Sequence, residues 1–170
     1  MSKGFLFIIA LVLCFLSFFE TNAQSLLKNG KILKDLVIKF ETESVGPPSK
    51  SHYKITIEAN GTVWREAIAG FFAETSNLIK KNKLTKNTLR QLVSEFERIG
   101  FFNLDNDYSF KAGNCGDGLP IPHKAKVIIS IRINGKTKKV SSVQSCVGDE
   151  GSNLENFDNL GKKISLAAFN

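Results

Sequence analysis

The chain has 170 residues, a formal net charge of +7, 14 Phe and only three Cys, a length that suits one domain. The positive charge does not point to nucleic acid. Its lysines are scattered apart from Lys80-Lys81-Asn82-Lys83, Lys136-Thr137-Lys138-Lys139 and Lys162-Lys163, and no nucleic-acid motif accompanies them. A solvated basic face explains this pattern, with attraction to an anionic envelope surface or polysaccharide as the alternative.

Residues 1–23 read as a signal peptide. Lys3 supplies a basic start, Gly4 to Phe19 is an almost unbroken apolar run, and Thr21-Asn22-Ala23 resembles a small-residue cleavage site. Cleavage between Ala23 and Gln24 removes Lys3 and Glu20 together, so the charge of the mature chain stays at +7. The apolar run is shorter than the roughly 20 residues a membrane span needs, so no membrane span is expected after cleavage. Leu11-Val12-Leu13-Cys14 superficially resembles a lipoprotein box, but its Cys lies inside the apolar run and follows a Leu. These features place the protein outside the cytoplasm, periplasmic or secreted.

Residues 24–34 are polar and are expected to be a flexible N-terminal segment, with a single domain over 35–170. Leu36, Ile38 and Phe40 alternate with polar neighbours, which predicts a strand. Ser44 to Lys50 holds Pro47 and Pro48 and reads as a connector. Tyr53, Ile55 and Ile57 alternate again, Asn60-Gly61 signals a hairpin, and Thr62-Val63-Trp64-Arg65 begins the return strand. Asn60-Gly61-Thr62 has the form of a glycosylation sequon, and its place at a hairpin tip gives it a turn role. Residues 66–83 keep no clean period, and a further strand or two is expected there.

A helix over about 85–99 is the plainest element, because Leu89, Leu92, Val93, Phe96 and Ile99 form one apolar stripe. Thr85 is its expected N-cap. Gly100 suits the left-handed residue that ends it, with Phe101 packing back on Phe96. Phe102 and Leu104 lead into a tight turn, Asp105-Asn106-Asp107-Tyr108. Residues 111–123 carry Gly113, Gly116, Gly118, Pro120 and Pro122 and read as a loop. Val127, Ile129, Ile131 and Ile133 then mark a strand, Asn134-Gly135 a two-residue turn, and Thr137 to Val143 a return strand that sets Val140 opposite Ile129. Ser152-Asn153-Leu154-Glu155 is a capping box opening a second helix with Leu154, Phe157, Leu160 and Ile164 on one face. Gly161 within it costs roughly 1 kcal/mol relative to Ala, so this helix is expected to be the weaker one. The order predicts an α+β fold: an antiparallel sheet of about five strands built from hairpins, with the main helix and the C-terminal helix packed on one face.

Cys14 leaves with the signal peptide. Cys115 and Cys146 remain, and an even pair in an exported chain reads as a disulfide. The alternative, free thiols or metal ligands, lacks a CxxC or a His at ligand spacing.

Several of these features come in a familiar order: the hairpin, the helix, Gly100-Phe101-Phe102-x-Leu104-x-x-x-Tyr108, the Gly/Asp/Pro loop, and the Ile-rich strand ending in Asn134-Gly135-Lys136-x-Lys138. Over roughly residues 35 to 165 the chain resembles an uncharacterised family of exported bacterial domains, a domain of unknown function. The resemblance implies the fold and export, and no activity. Family members often carry a cysteine pair where this chain has Ser44-Val45-Gly46-Pro47, with Tyr53 further on; both cysteines are missing here.

Chemistry is sparse. His52 and His123 are the only histidines, and neither sits in a catalytic motif. Asp105, Asp107, Asp117, Asp149 and Glu150 are the acidic loop residues. The stretch from Asp105 begins like a calcium loop, but Phe110 stands where the turn Gly is required and no Glu closes it. No metal and no cofactor are implied. The aromatic residues read as core. Two functions stand: a non-enzymatic binding module of the cell envelope that takes a protein or glycan, or a hydrolase-type enzyme with a loop-built acidic site drawn from Asp105, Asp107, Asp117 and His123. The binding module is the preferred reading, because acid–base catalysis leaves legible carboxylates or histidines, and these acids read as turn formers.

Overall fold

Alternating strands and two amphipathic helices fold into two layers. The structure is a computed structural model and describes residues 27–28, 31–43, 52–68, 78–109, 125–143, 146 and 152–169. Its strands are β1 (Leu27–Lys28), β2 (Lys31–Ile32), β3 (Val37–Glu43), β4 (His52–Glu58), β5 (Thr62–Ile68), β6 (Leu78–Lys83), β7 (Asp107–Tyr108), β8 (Lys126–Ile133) and β9 (Lys136–Val143). The helices are α1 (Lys86–Arg98) and α2 (Asn153–Phe169), with a short 3₁₀ turn at Phe101–Asn103.

Seven of these strands form one sheet in the order β6-β5-β4-β3-β8-β9-β7. Every pairing in it is antiparallel except β7 on β9, which is parallel. The fold class is α+β as expected, but the sheet is larger than about five strands and is mixed. A strand or two was expected within 66–83 without bounds, and β6 is one; it reads LIKKNK, so no apolar alternation marks its limits, while β7, two residues long, was not expected. Where a flexible N-terminal segment was expected, β1 and β2 form a small ribbon with Leu27 opposite Ile32.

Register decides which side chains become core. Ile57, Ile38 and Ile131 stand abreast on β4, β3 and β8, and Ile55, Phe40, Ile129 and Val140 form the next row. All are buried and share one cluster with Leu89, Leu92, Val93 and Phe96 of α1 and with Leu154, Phe157, Leu160 and Ile164 of α2. Both helices therefore cover one face of the sheet. A salt bridge from Lys163 Nζ to Glu95 Oε1 at 2.8 Å joins α2 to α1.

The caps follow the sequence closely. Thr85 Oγ1 accepts from the Thr88 amide at 3.1 Å, and Ser152 Oγ accepts from the Glu155 amide at 3.2 Å. Gly100 takes φ +61°, and Phe101 meets Phe96 edge-on with ring centroids 5.0 Å apart. The two Asn-Gly turns differ. Asn134 (φ 50°) and Gly135 (φ 69°) both lie in the left-handed region and make the two-residue turn, so Ile133 pairs Lys136 and Ile129 pairs Val140. At the first turn only Gly61 has positive φ, at 86°. Its amide donates to the Glu58 carbonyl at 2.8 Å, and Asn60 Oδ1 accepts from the Thr62 amide at 2.7 Å. That loop is thus three residues long, a turn followed by a left-handed glycine.

Candidate functional site

The acidic turn is built into the sheet edge. Asp107 Oδ1 accepts from Ser141 Oγ at 2.6 Å and Oδ2 accepts from Ser109 Oγ at 2.8 Å. The Asn106 carbonyl takes the Ser141 amide at 3.0 Å. Lys138 Nζ donates to the Leu104 carbonyl at 2.6 Å and to Asn106 Oδ1 at 2.7 Å. The Ser141 and Ser109 hydroxyls hold the Asp107 carboxyl below the usual carboxylate range. A carboxylate so held is an acceptor that fixes β7 to β9, and it is a poor general acid at neutral pH.

Asp105 lies exposed in the same turn. Asp117 and His123, the other two members of the expected surface site, fall outside the described residues, as do Asp149, Glu150 and the side chain of His52. Of the four, the described residues include Asp105 and Asp107, which sit in one short stretch at the sheet edge. Cys115 also falls outside. Cys146 is buried beneath this turn, with Sγ 3.4 Å from the Tyr108 carbonyl oxygen.

One acid sits differently. Asp158 of α2 lines a cavity of about 310 Å³ with Phe40, Thr42, Val127, Lys162 and Ser165. Burial pushes its carboxyl up, against the pull of the Lys162 charge. No second carboxylate lines that cavity among the described residues, and a glycosidase-type pair requires two. Among the described residues no group of three or more His, Cys, Asp or Glu side chains is arranged to hold a metal ion, and no helix is long and apolar enough to cross a membrane.

The outer face of the sheet, away from the helices, carries an aromatic group that the sequence reading assigned to the core. β5 alternates, so Val63 is fully buried while Trp64 points to the opposite side, between Thr56 of β4 and Lys81 of β6. Trp64 is half-buried and belongs neither to the core cluster nor to the side chains packed on it. Its Nε1 donates to Glu58 Oε1 at 3.2 Å, and Lys81 Nζ lies 4.8 Å from the ring centroid. Lys54 and Glu66 pair at 3.3 Å on the same side. The hydrogen bond fixes the ring, and the ammonium marks it as a place where π-face and positive charge meet. The signal was present in the sequence as phase: if Val63 faces inward, Trp64 cannot.

The chain matches no protein-family model, and no curated protein is similar to it.

Proposed function

We propose that this chain is a non-enzymatic binding module exported to the bacterial envelope, and that it takes an anionic glycan on the outer face of its sheet. Trp64 carries the reading. A half-buried indole fixed by Glu58 on the outer strand face offers a surface for the apolar side of a sugar ring once Lys81 swings aside, and Lys81, over that ring, supplies a cation for the acid group. The net charge of +7 favours encounter with polyanions. A hydrolase has less support. Asp107 is committed to Ser141 and Ser109, and among the described residues no carboxylate joins Asp158 in its cavity.

Export belongs to the same proposal, resting on Lys3, the run Gly4 to Phe19 and the Ala23–Gln24 junction. So do the resemblance to exported bacterial domains and the Cys115–Cys146 disulfide, which the buried seat of Cys146 suits. Closing that loop contributes about 3–4 kcal/mol in the chain-entropy model. Protein from the native host should begin at Gln24 and show no alkylatable thiol before reduction. A start at Met1, or two free thiols, would remove this part.

The binding test is affinity electrophoresis of the mature chain through polygalacturonate and through neutral dextran. Polygalacturonate should retard the wild type, less so as salt rises, and dextran should not. Trp64→Ala should abolish the retardation and Lys81→Ala should weaken it. A Trp64→Ala protein that migrates like wild type in polygalacturonate would defeat the reading.

A further inference from the structure

The helix-side face of β5 presents Val63, Arg65 and Ala67 in one row. An arginine in such a row must find a partner, because a buried donor left unsatisfied costs about 1–3 kcal/mol. The Arg65 guanidinium lies over the Phe169 ring, but its Nε is shielded from solvent and makes no hydrogen bond. The hydroxyl of Tyr53, diagonally across on β4, is in the same condition. The nearest acid in sequence, Glu66, points to the opposite face and is held there by Lys54.

The neighbours make the arrangement more pointed. Arg65 pairs directly with Lys80 of β6, so two cations stand side by side on one face. Like charges placed this way work against the sheet, unless an anion lies between them. Phe169, the last residue of α2, closes the place from above. Its ring lies 12° from parallel to Tyr53 with centroids 6.0 Å apart, and Arg65 Cζ is 4.9 Å from its centroid. The cover is one ring thick, since Phe169 is 58% exposed. Beneath it is a cavity of about 110 Å³ lined by Tyr53, Arg65, Ala67, Lys80 and Phe169. A water occupies about 30 Å³ of liquid, so a carboxylate and the start of an apolar body fit, and a large ligand does not.

We propose that this cavity is a binding site for the carboxylate of a small amphipathic acid. The two carboxylate oxygens accept from Arg65 Nε and the adjacent guanidinium nitrogen, in the planar fork that guanidinium favours. The Tyr53 hydroxyl donates a third hydrogen bond, Lys80 lends charge at the mouth, and the apolar body slides against Phe169 and Ala67. This site lies on the opposite face from Trp64 and does not rest on the glycan reading.

The test is NMR titration of the mature chain with sodium benzoate, with benzamide as the neutral isostere and inorganic phosphate as the competing anion. Benzoate should give saturable shifts at Tyr53, Arg65 Hε and Phe169. Benzamide should bind at least about tenfold more weakly, the least expected for losing hydrogen bonds to a charged group. Inorganic phosphate should not displace benzoate. Arg65→Lys should weaken benzoate by about tenfold or more, because an ammonium cannot reproduce the fork. Tyr53→Phe, which removes only the hydroxyl, should weaken it severalfold, and it remains a test if Arg65→Lys fails to fold. Absence of saturable benzoate shifts, unchanged affinity in Tyr53→Phe, or displacement by phosphate would each overturn the proposal.

Discussion

Asp158 is the residue on which the fold sits least comfortably. It lies on α2 beside Phe40, Thr42 and Val127, and burial raises its carboxyl above the ordinary value. The folded chain therefore holds this proton more tightly than the unfolded chain does. The stability that follows is complete below the unfolded value, near pH 4, and is lost as pH rises through the higher folded one. Asp158→Asn should accordingly raise the urea midpoint at about pH 7 and leave it nearly unchanged at about pH 3, where the wild-type acid is already neutral. Equal effects at both pH values would show that the carboxylate reaches water. Asp107 and Glu95 run the other way. Hydroxyls from Ser141 and Ser109 hold the first low, and hydrogen bonds from Lys163 and Arg98 the second. What they contribute is present at neutral pH and fades as pH falls through those depressed values. Both are half-buried at the surface and partly screened by water, so their share is small.

At the scale of elements, α2 shows why a glycine can be the right residue in a helix. Read by propensity alone, Gly161 weakens α2. In the structure it is buried, and a Cβ there would lie 3.2 Å from Phe40 Cε2 and 3.7 Å from Ile129 Cδ1. The missing side chain lets α2 approach β3 and β8 closely. Gly161→Ala gains about 1 kcal/mol of helix propensity and meets an overpacking cost of about 1–3 kcal/mol, so a net loss of about 1 kcal/mol is expected. Chemical denaturation would measure it, and a raised midpoint would mean that the Phe40 ring yields. The same contrast explains what could be read beforehand. α1 was legible because its five apolar positions repeat at helical spacing and its cap and stop residues are local. β8 and β9 were legible because Asn134-Gly135 fixes their register. β6 was expected only as an unplaced strand within 66–83, because lysines fill its sequence, and β7 escaped because hydrogen bonds from Ser141 and Lys138, more than thirty residues away, bring it to the sheet. Of the expected surface site, Asp107 was read as part of a tight turn, whereas it opens β7, and nothing local announced that Ser141 would hold it. Trp64 and Arg65 were readable only through the phase of β5, which Val63 sets.

Taken whole, the sheet has two unlike edges. β6 is six residues long and carries Lys80, Lys81 and Lys83, a charged border that discourages pairing with another chain. β7 is two residues long and leaves little backbone to pair. Between them lie two blocks of near neighbours: the meander β3-β4-β5-β6 with α1, and the hairpin β8-β9. The seam is β3 on β8, where Val37 meets Arg132 and Phe40 meets Ile129. Each block can zip through local contacts, but the seam must close a long stretch of chain before it returns any stability, and such closures are slow. A chain that emerges from synthesis N-terminus first has its meander ready while the free edge of β3, bearing Ile38 and Phe40, still waits for β8. Stopped-flow measurements should then find that Leu92→Ala, inside the early block, mainly slows refolding, whereas Ile131→Ala on the late seam mainly hastens unfolding. The reverse assignment would mean that the seam closes before the helix docks. If the seam is the late step, the vulnerable moment of this molecule is the interval in which half a sheet is finished and its hydrophobic border has no neighbour.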